Sequence, residues 1–207
     1  MMRLLMAVAA LWIAGCAKQK VEPKQEDPPT SSSVAAALAS ASAVRQDLEK
    51  RLAITEAPTL AAALKLTERD MEDGKDFSSG TTDLASWATR SMKWSDVAVA
   101  KNETSYALVN KDSDAERGKR LCVSGTLIEI HSAKSAAGTA YVGGLVDGEG
   151  KIYRFISVKS TGTLVERNSA RLCGVVTERQ SYANSGGGTT HAVAMVGIFD
   201  LPENRKP

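Results

Sequence analysis

Five stretches in the second half of the chain decide the fold: Arg120–Ile130 (RLCVSGTLIEI), Thr139–Val146 (TAYVGGLV), Ile152–Lys159 (IYRFISVK), Ala170–Glu178 (ARLCGVVTE) and His191–Phe199 (HAVAMVGIF). Each is short, rich in β-branched and apolar residues, and bounded by Gly, Asp or Ser clusters, which is the pattern of a strand. Asp147-Gly148-Glu149-Gly150 between the second and third is a hairpin signal. Residues 161–169 (TGTLVERNS), between the third and fourth, are expected to form one or two helical turns. Residues 181–190 (SYANSGGGTT) read as a long flexible loop before the last strand. Upstream, Ser105–Asn110 (SYALVN) is expected to be a further short strand, followed by a charged turn at 111–119.

Toward the N-terminus the periodicity becomes helical. Val34, Leu38, Ala41, Val44, Leu48 and Leu52 step by three or four and share one helix face, with Ser33 as the expected N-cap. The expectation is that this stripe docks on the chain's own domain, the alternative being a partner-binding helix. A second helix is expected from Pro58, using Leu60, Leu64 and Met71 and stopping at Asp73-Gly74. Asp83 is expected to cap a third, carrying Leu84, Trp87 and Trp94. The chain is therefore read as α+β: a helical segment over 34–104, a small five-stranded β-barrel over 105–201, and a short tail at 202–207.

Residues 17–33 (AKQKVEPKQEDPPTSSS) hold one large apolar side chain, Val21, and three prolines. Such a segment cannot bury enough surface to offset its ordering entropy, so residues 16–33 read as a disordered tether. Before it, Arg3 precedes ten apolar residues, Leu4 to Ile13, closed by Ala14-Gly15-Cys16. A charged start, a short apolar run and small residues describe a secretory signal peptide over 1–15, and the run is too short to span a bilayer. Ile13-Ala14-Gly15-Cys16 resembles the lipobox of bacterial lipoproteins. That resemblance implies a Cys16 carrying acyl chains such as palmitate, membrane attachment through that lipid, and a place in the bacterial cell envelope. By the same likeness, Ala17 after the cysteine implies the outer membrane.

The five strands with a short helix between the third and fourth, together with Gly118-Lys119-Arg120-Leu121-Cys122-Val123-Ser124-Gly125, resemble the OB-fold domains of the tRNA-anticodon-binding-like group. Small barrels of SH3-like or lipocalin-like build remain open alternatives. In an OB-fold the first and fourth strands are neighbours, so the resemblance implies that Cys122 and Cys173, in the near-duplicate contexts Arg120-Leu121-Cys122 and Arg171-Leu172-Cys173, face each other. In an exported chain such a pair reads as a disulfide, with two buried free thiols as the alternative.

The chemistry of common enzyme sites is not found. Asp112-x-Asp114-x-Glu116 has Arg117 and Val123 where a calcium loop needs Gly and Glu. Gly186-Gly187-Gly188 is followed by Thr189-Thr190 and is not a phosphate loop. Ser124-Gly125 lacks the nucleophile-elbow pattern, and His131 and His191 without a placed third ligand are a weak metal signal. Asp147 and Glu149 are explained by a solvated turn. No catalytic residue, metal or cofactor is expected, and the chain is not read as an enzyme.

OB-folds bind oligonucleotides or oligosaccharides through the second and third strands and flanking loops. Carried onto this chain, that surface would comprise Tyr141, Arg154, Lys159, Arg179, Tyr182 and His191. Residues 119–201 hold nine Lys/Arg against six Asp/Glu, a mild excess that argues against a dedicated nucleic-acid binder. The expected partner is an envelope protein or a cell-wall glycan. The alternative is a structural or assembly lipoprotein acting through its N-terminal helices, with the barrel as scaffold.

Overall fold

The structure, a computed structural model, describes residues 31–183 and 186–206. The expected signal peptide, Cys16 and most of the tether lie outside the described residues. The chain divides into two units, Met1–Ala41 and Ser42–Pro207. Of the first, the described part is the beginning of helix α1 (Ser31–Thr55), whose Leu38 is exposed. Because α1 begins at Ser31, Ser33 lies inside the helix rather than at its cap.

In the second unit, α1 is followed by α2 (Leu60–Thr67), a single 3-10 turn (Glu68–Asp70), α3 (Ser79–Ser91), α4 (Trp94–Val97), α5 (Tyr106–Lys111) and α6 (Ser113–Glu116). Hydroxyl caps set three of the starts. Thr59 accepts from Ala62 N–H ahead of α2, so that helix begins two residues after Pro58. Ser78, not Asp83, caps α3; Asp83 sits in its second turn, half-buried, and burial pushes its carboxyl pKa up. Trp94 opens α4 instead of extending α3. Ser105–Asn110 is helical, not a strand. The Ser105 hydroxyl accepts from Leu108 N–H and α5 follows, with Val109 as its buried contact. The alternation in SYALVN is as compatible with one helical turn as with a short strand, and the N-cap decides it.

Five strands follow: β1 (Arg120–Ser135), β2 (Gly138–Val146), β3 (Ile152–Ser157), β4 (Ser169–Ala183) and β5 (Thr189–Phe199). They close a barrel in the order β1-β2-β3-β5-β4. All pairs are antiparallel except β3 with β5. That strand order, with β1 hydrogen-bonded to β4 over Arg120–Thr126 and to β2 over Thr126–Ser135, is the five-stranded Greek-key barrel of the OB-fold. Residues 161–169 form two turns rather than a helix, closed by Leu164 N–H to Thr161 O and Asn168 N–H to Val165 O. Five of the ten residues of the loop expected at 181–190 are strand instead, since β4 runs to Ala183 and β5 starts at Thr189.

Two apolar clusters hold the unit together. Inside the barrel, Leu121, Leu127, Leu145, Tyr153, Phe155, Leu172, Met195 and Phe199 interlock, with Phe155 and Phe199 edge to face at 5.3 Å. Outside it, Leu84, Trp87, Ala88, Met92 and Val97 of the helices cover Ile156, Cys173, Val175, Val196 and Ile198. The Trp87 indole N–H donates to Ala57 O at 2.9 Å in this second cluster. β4 and β5 approach closely where Gly174 faces Gly197, and a Cβ on either would collide with the opposing backbone.

Within the second unit the apolar stripe of α1 does not dock. Val44, Leu48 and Leu52 are 60%, 61% and 57% exposed. The helix is held near its C-terminal end, by Ile54 in the outer cluster, by a Lys50–Asp70 ion pair and by Arg90 donating to the Thr55 hydroxyl at 3.2 Å.

Cys122 and Cys173 are register partners on β1 and β4 and form a disulfide. It closes a loop of 51 residues, for which chain entropy gives about 4 kcal/mol. Replacing both by Ser is therefore expected to lower the unfolding free energy by about that amount. Urea denaturation of the oxidised protein beside the double variant measures this, and coincident midpoints would refute it.

Candidate functional site

The barrel's outer face is divided by the helices. Side-chain alternation puts Glu129 and His131 of β1, Gly144 of β2, Arg154 of β3, Ala192 and Ala194 of β5, and Glu178, Gln180 and Tyr182 of β4 on the outside. The residues before α3 close over part of this face and are anchored on Glu178, which is fully buried. Its carboxylate accepts from the Ser78 N–H (3.2 Å), the Ser78 hydroxyl, the Thr81 hydroxyl (2.7 Å) and the Gln180 amide (3.3 Å). A carboxylate at the start of α3 also meets the positive end of the helix dipole. Glu178 therefore joins helix to barrel.

The rest of the face is a shallow strip that crosses the sheet from Tyr182 through Arg154 to Glu129 and His131. Gly144 on β2 and Ala192 and Ala194 on β5 face the same way, and both alanines are fully buried. Arg154 donates to Glu129 Oε2 at 2.6 Å, and His131 Nδ1 stands 3.4 Å from the other carboxylate oxygen. The Arg154 hydrogen bond holds the Glu129 carboxyl below its ordinary pKa. Burial pushes the Tyr182 phenol pKa up, and the nearby Arg154 charge partly offsets that.

Of the six residues expected to form a binding surface, the structure brings Arg154 and Tyr182 together on this strip. Tyr141 takes an inward register position at the far end of β2, between Ser132 and Ser157. Lys159 follows β3 and donates to Thr89 O on α3 at 3.2 Å. Arg179 lies on the inward register of β4 and is a clamp: its guanidinium donates to Asn110 O at 3.0 Å and pairs with Asp73 at 3.2 Å. His191, also inward, shares a 2.8 Å hydrogen bond with the Ser181 hydroxyl, and its carbonyl accepts from Tyr106 at 2.7 Å. His131 and His191 thus occupy opposite faces of the sheet. No group of three His, Cys, Asp or Glu among the described residues is placed to hold a metal ion.

Glu129, His131 and Gly144 were not among the expected residues. The signal for them was the Gly143-Gly144 pair inside a strand, which marks close approach. Glu129 itself was hidden by the register shift between Leu127 and Glu129, which breaks the alternation of β1. A second opening, a groove of about 520 Å³ lined by Ser124, Thr126, Asp147, Ser169 and Arg171 among others, contains none of the six.

Comparison with known proteins adds little beyond the fold. No family model matches the chain, and no curated protein matches it in sequence. Among solved structures, a mitochondrial single-stranded DNA-binding protein of S. cerevisiae is similar at 8% identity and a TM-score of 0.28. The match covers 42% of this chain and 97% of that one. The OB domain of a Thermoplasma acidophilum protein is similar at 16% identity and a TM-score of 0.23, over 42% of this chain and 79% of that one. Both likenesses are weak, and the OB topology stands on strand order and pairing.

The Arg154–Glu129 pair has a pH signature. A carboxylate with a lowered pKa contributes stability that is present above its ordinary value of 4.5 and lost as pH falls through the lowered one. In Arg154→Ala, the Glu129 titration followed by carboxyl NMR is expected to move up toward 4.5. An unmoved titration would mean that the pair does not form in solution.

Proposed function

We propose that this chain is a bacterial lipoprotein, attached to the outer membrane through acyl chains on Cys16, whose barrel is a binding module for a component of the cell envelope. The anchor is supported by Arg3, the apolar run Leu4–Ile13 and the Ile13-Ala14-Gly15-Cys16 closure. Firm attachment needs more than one acyl chain, which a diacylated cysteine would supply. No helix among the described residues is long and apolar enough to cross a membrane, so the lipid is the attachment this reading relies on. Replacing Cys16 by Ser is expected to move the protein from the membrane pellet to the soluble fraction. Its persistence in the pellet after a carbonate wash would sink the anchor.

The observation that carries the binding reading is the strip on which Arg154 and Tyr182 share the part of the barrel face that the helices leave uncovered. A tyrosine ring within electrostatic range of a guanidinium that is itself paired to a carboxylate presents an apolar surface together with oriented donors and acceptors. That combination suits a sugar chain, and it favours a cell-wall glycan over an envelope protein. The Arg154–Glu129 pairing leaves little free positive charge on the strip, so nothing there favours nucleic acid, whose binding rests on phosphate neutralisation.

The test uses the full chain in detergent with soluble cell-wall glycan fragments. Arg154→Ala combined with Tyr182→Ala is expected to weaken binding about tenfold or more, the usual scale for removing an Arg or Tyr anchor. Binding of the fragments that the double variant leaves unchanged would place the site elsewhere. Absence of fragment binding, with crosslinking to one envelope protein lost in the variant, would exchange the glycan for that protein.

A further inference from the structure

Helix α1 presents a ridge that its own domain leaves bare. Over Ser42–Thr55 the body holds the helix through buried Ile54, the Lys50–Asp70 pair and, at the last residue, Arg90 donating to the Thr55 hydroxyl at 3.2 Å. At about 100° per residue, Lys50 lies nearly opposite the Val44–Leu48–Leu52 ridge, so the ridge points away from the body. Those three side chains are among the most exposed large apolar groups of the described residues. Residues 17–30 could not cover them, since they hold a single large apolar side chain, Val21. A lipid surface is a poor fit as well. An interfacial helix is rich in Lys and Arg on its polar face, whereas here Arg45 pairs with Glu49, Arg51 with Asp47 and Lys50 with Asp70.

The charges beside the ridge identify a better occupant. Arg45 and Glu49 lie on one flank, and Asp47 and Arg51 on the other. In an antiparallel pair of identical helices, each flank faces the same flank of the second copy. With Leu48 set against Leu48, Val44 falls opposite Leu52 of the other copy. Arg45 then lies within about 3 Å of axial rise of Glu49 on the facing flank, and Asp47 within the same rise of Arg51. Every charge meets its opposite, and the apolar ridge meets itself. Such an isologous arrangement is what a two-fold dimer requires.

We propose that the chain self-associates through α1 as an antiparallel, two-fold pair centred on Leu48. The proposal is independent of what the barrel binds, but it rests on the proposed removal of residues 1–15, whose apolar run Leu4–Ile13 would otherwise be available to cover the ridge. The interface is small beside the roughly 1,200 Å² of a stable complex, so the pairing is reversible and concentration-dependent.

The test uses the full chain with Cys16→Ser, in which the Cys122–Cys173 disulfide leaves an introduced cysteine as the single thiol. Under mild oxidation Leu48→Cys is expected to give a covalent dimer. Val44→Cys alone is expected to give none, because the two positions are roughly 12 Å apart along the axis, beyond disulfide reach. An equal mixture of Val44→Cys and Leu52→Cys chains is expected to crosslink to each other. By sedimentation, Arg45→Glu and Glu49→Arg are each expected to weaken association about tenfold through like-charge contacts. Mixing the two variants should restore association, because each then meets its complement, a rescue that loss of helicity within either chain would not produce. Failure of Leu48→Cys to crosslink would overturn the proposal, including the case in which the ridge instead drives sedimentation with phospholipid vesicles. Crosslinking of Val44→Cys as strong as that of Leu48→Cys would overturn the antiparallel register.

Discussion

The barrel closes because one strand serves two neighbours. β1 hydrogen-bonds to β4 with its first half and to β2 with its second, and Thr126 is paired on both sides. A straight strand could not do this. The irregularity between Leu127 and Glu129 supplies the extra residue that bends β1 as it passes from one partner to the other. The Cys122–Cys173 disulfide lies on the β4 side of that bend. On the same seam Asn102 pairs with the Cys122 backbone in both directions, donating at 3.1 Å and accepting at 2.8 Å. The closing seam is therefore held by ladder hydrogen bonds, a covalent link and a side chain that imitates a further strand.

Closure determines what the helices must do. A closed barrel has an apolar inside and needs no second layer, yet Ile156, Val175, Val196 and Ile198 point outward. They call for a cover, which α2, α3 and α4 provide. The cover is positioned by polar chemistry, because apolar packing alone has no preferred rotation over a smooth sheet. Burying the Glu178 carboxylate is costly unless its oxygens are satisfied, and the donors that satisfy it, Ser78 and Thr81, sit at the start of α3. Asp73 does similar work at the next turn, accepting from Arg179 N–H and pairing with Arg117 and Arg179. Where the cover stops, the uncovered strip begins.

This division explains which features were legible in the sequence. The strand order was readable because β2, β3 and β5 each carry an apolar run bounded by turn residues, and because the two Arg-Leu-Cys segments share one pattern. Their pairing became predictable once an OB-like order was assumed. Three helices were readable, while α4, α5 and α6 were missed and the starts of α3 and α5 were not legible, since Ser78 and Ser105 act through a hydroxyl to a backbone N–H three residues on, which many surface serines could equally do. Arg179 was misplaced for a different reason. Strand alternation after a β-bulge reverses, and β4 shifts register between Val176 and Glu178. Nothing local to Arg179 reveals that shift, nor the distant Asp73 that takes up its charge. Arg154, on the regular strand β3, suffers no such ambiguity.

The α1 helix poses the remaining energetic problem. Its alanine-rich composition favours helix formation, but an isolated helix of this length is marginal in water and ordinarily relies on packing. Here packing is confined to the last turns, around Ile54 and Lys50. Intrahelical pairs such as Arg45–Glu49 and Asp47–Arg51 add only a few tenths of a kcal/mol each. Each Val or Leu on the ridge stands to gain up to roughly 1.5–3 kcal/mol on full burial, more than all the charge pairs of the helix together. Among the described residues the apolar ridge is thus a large unused source of stability. A second copy can draw on it without new residues, since the same ridge and the same flanks complete one another across a two-fold axis.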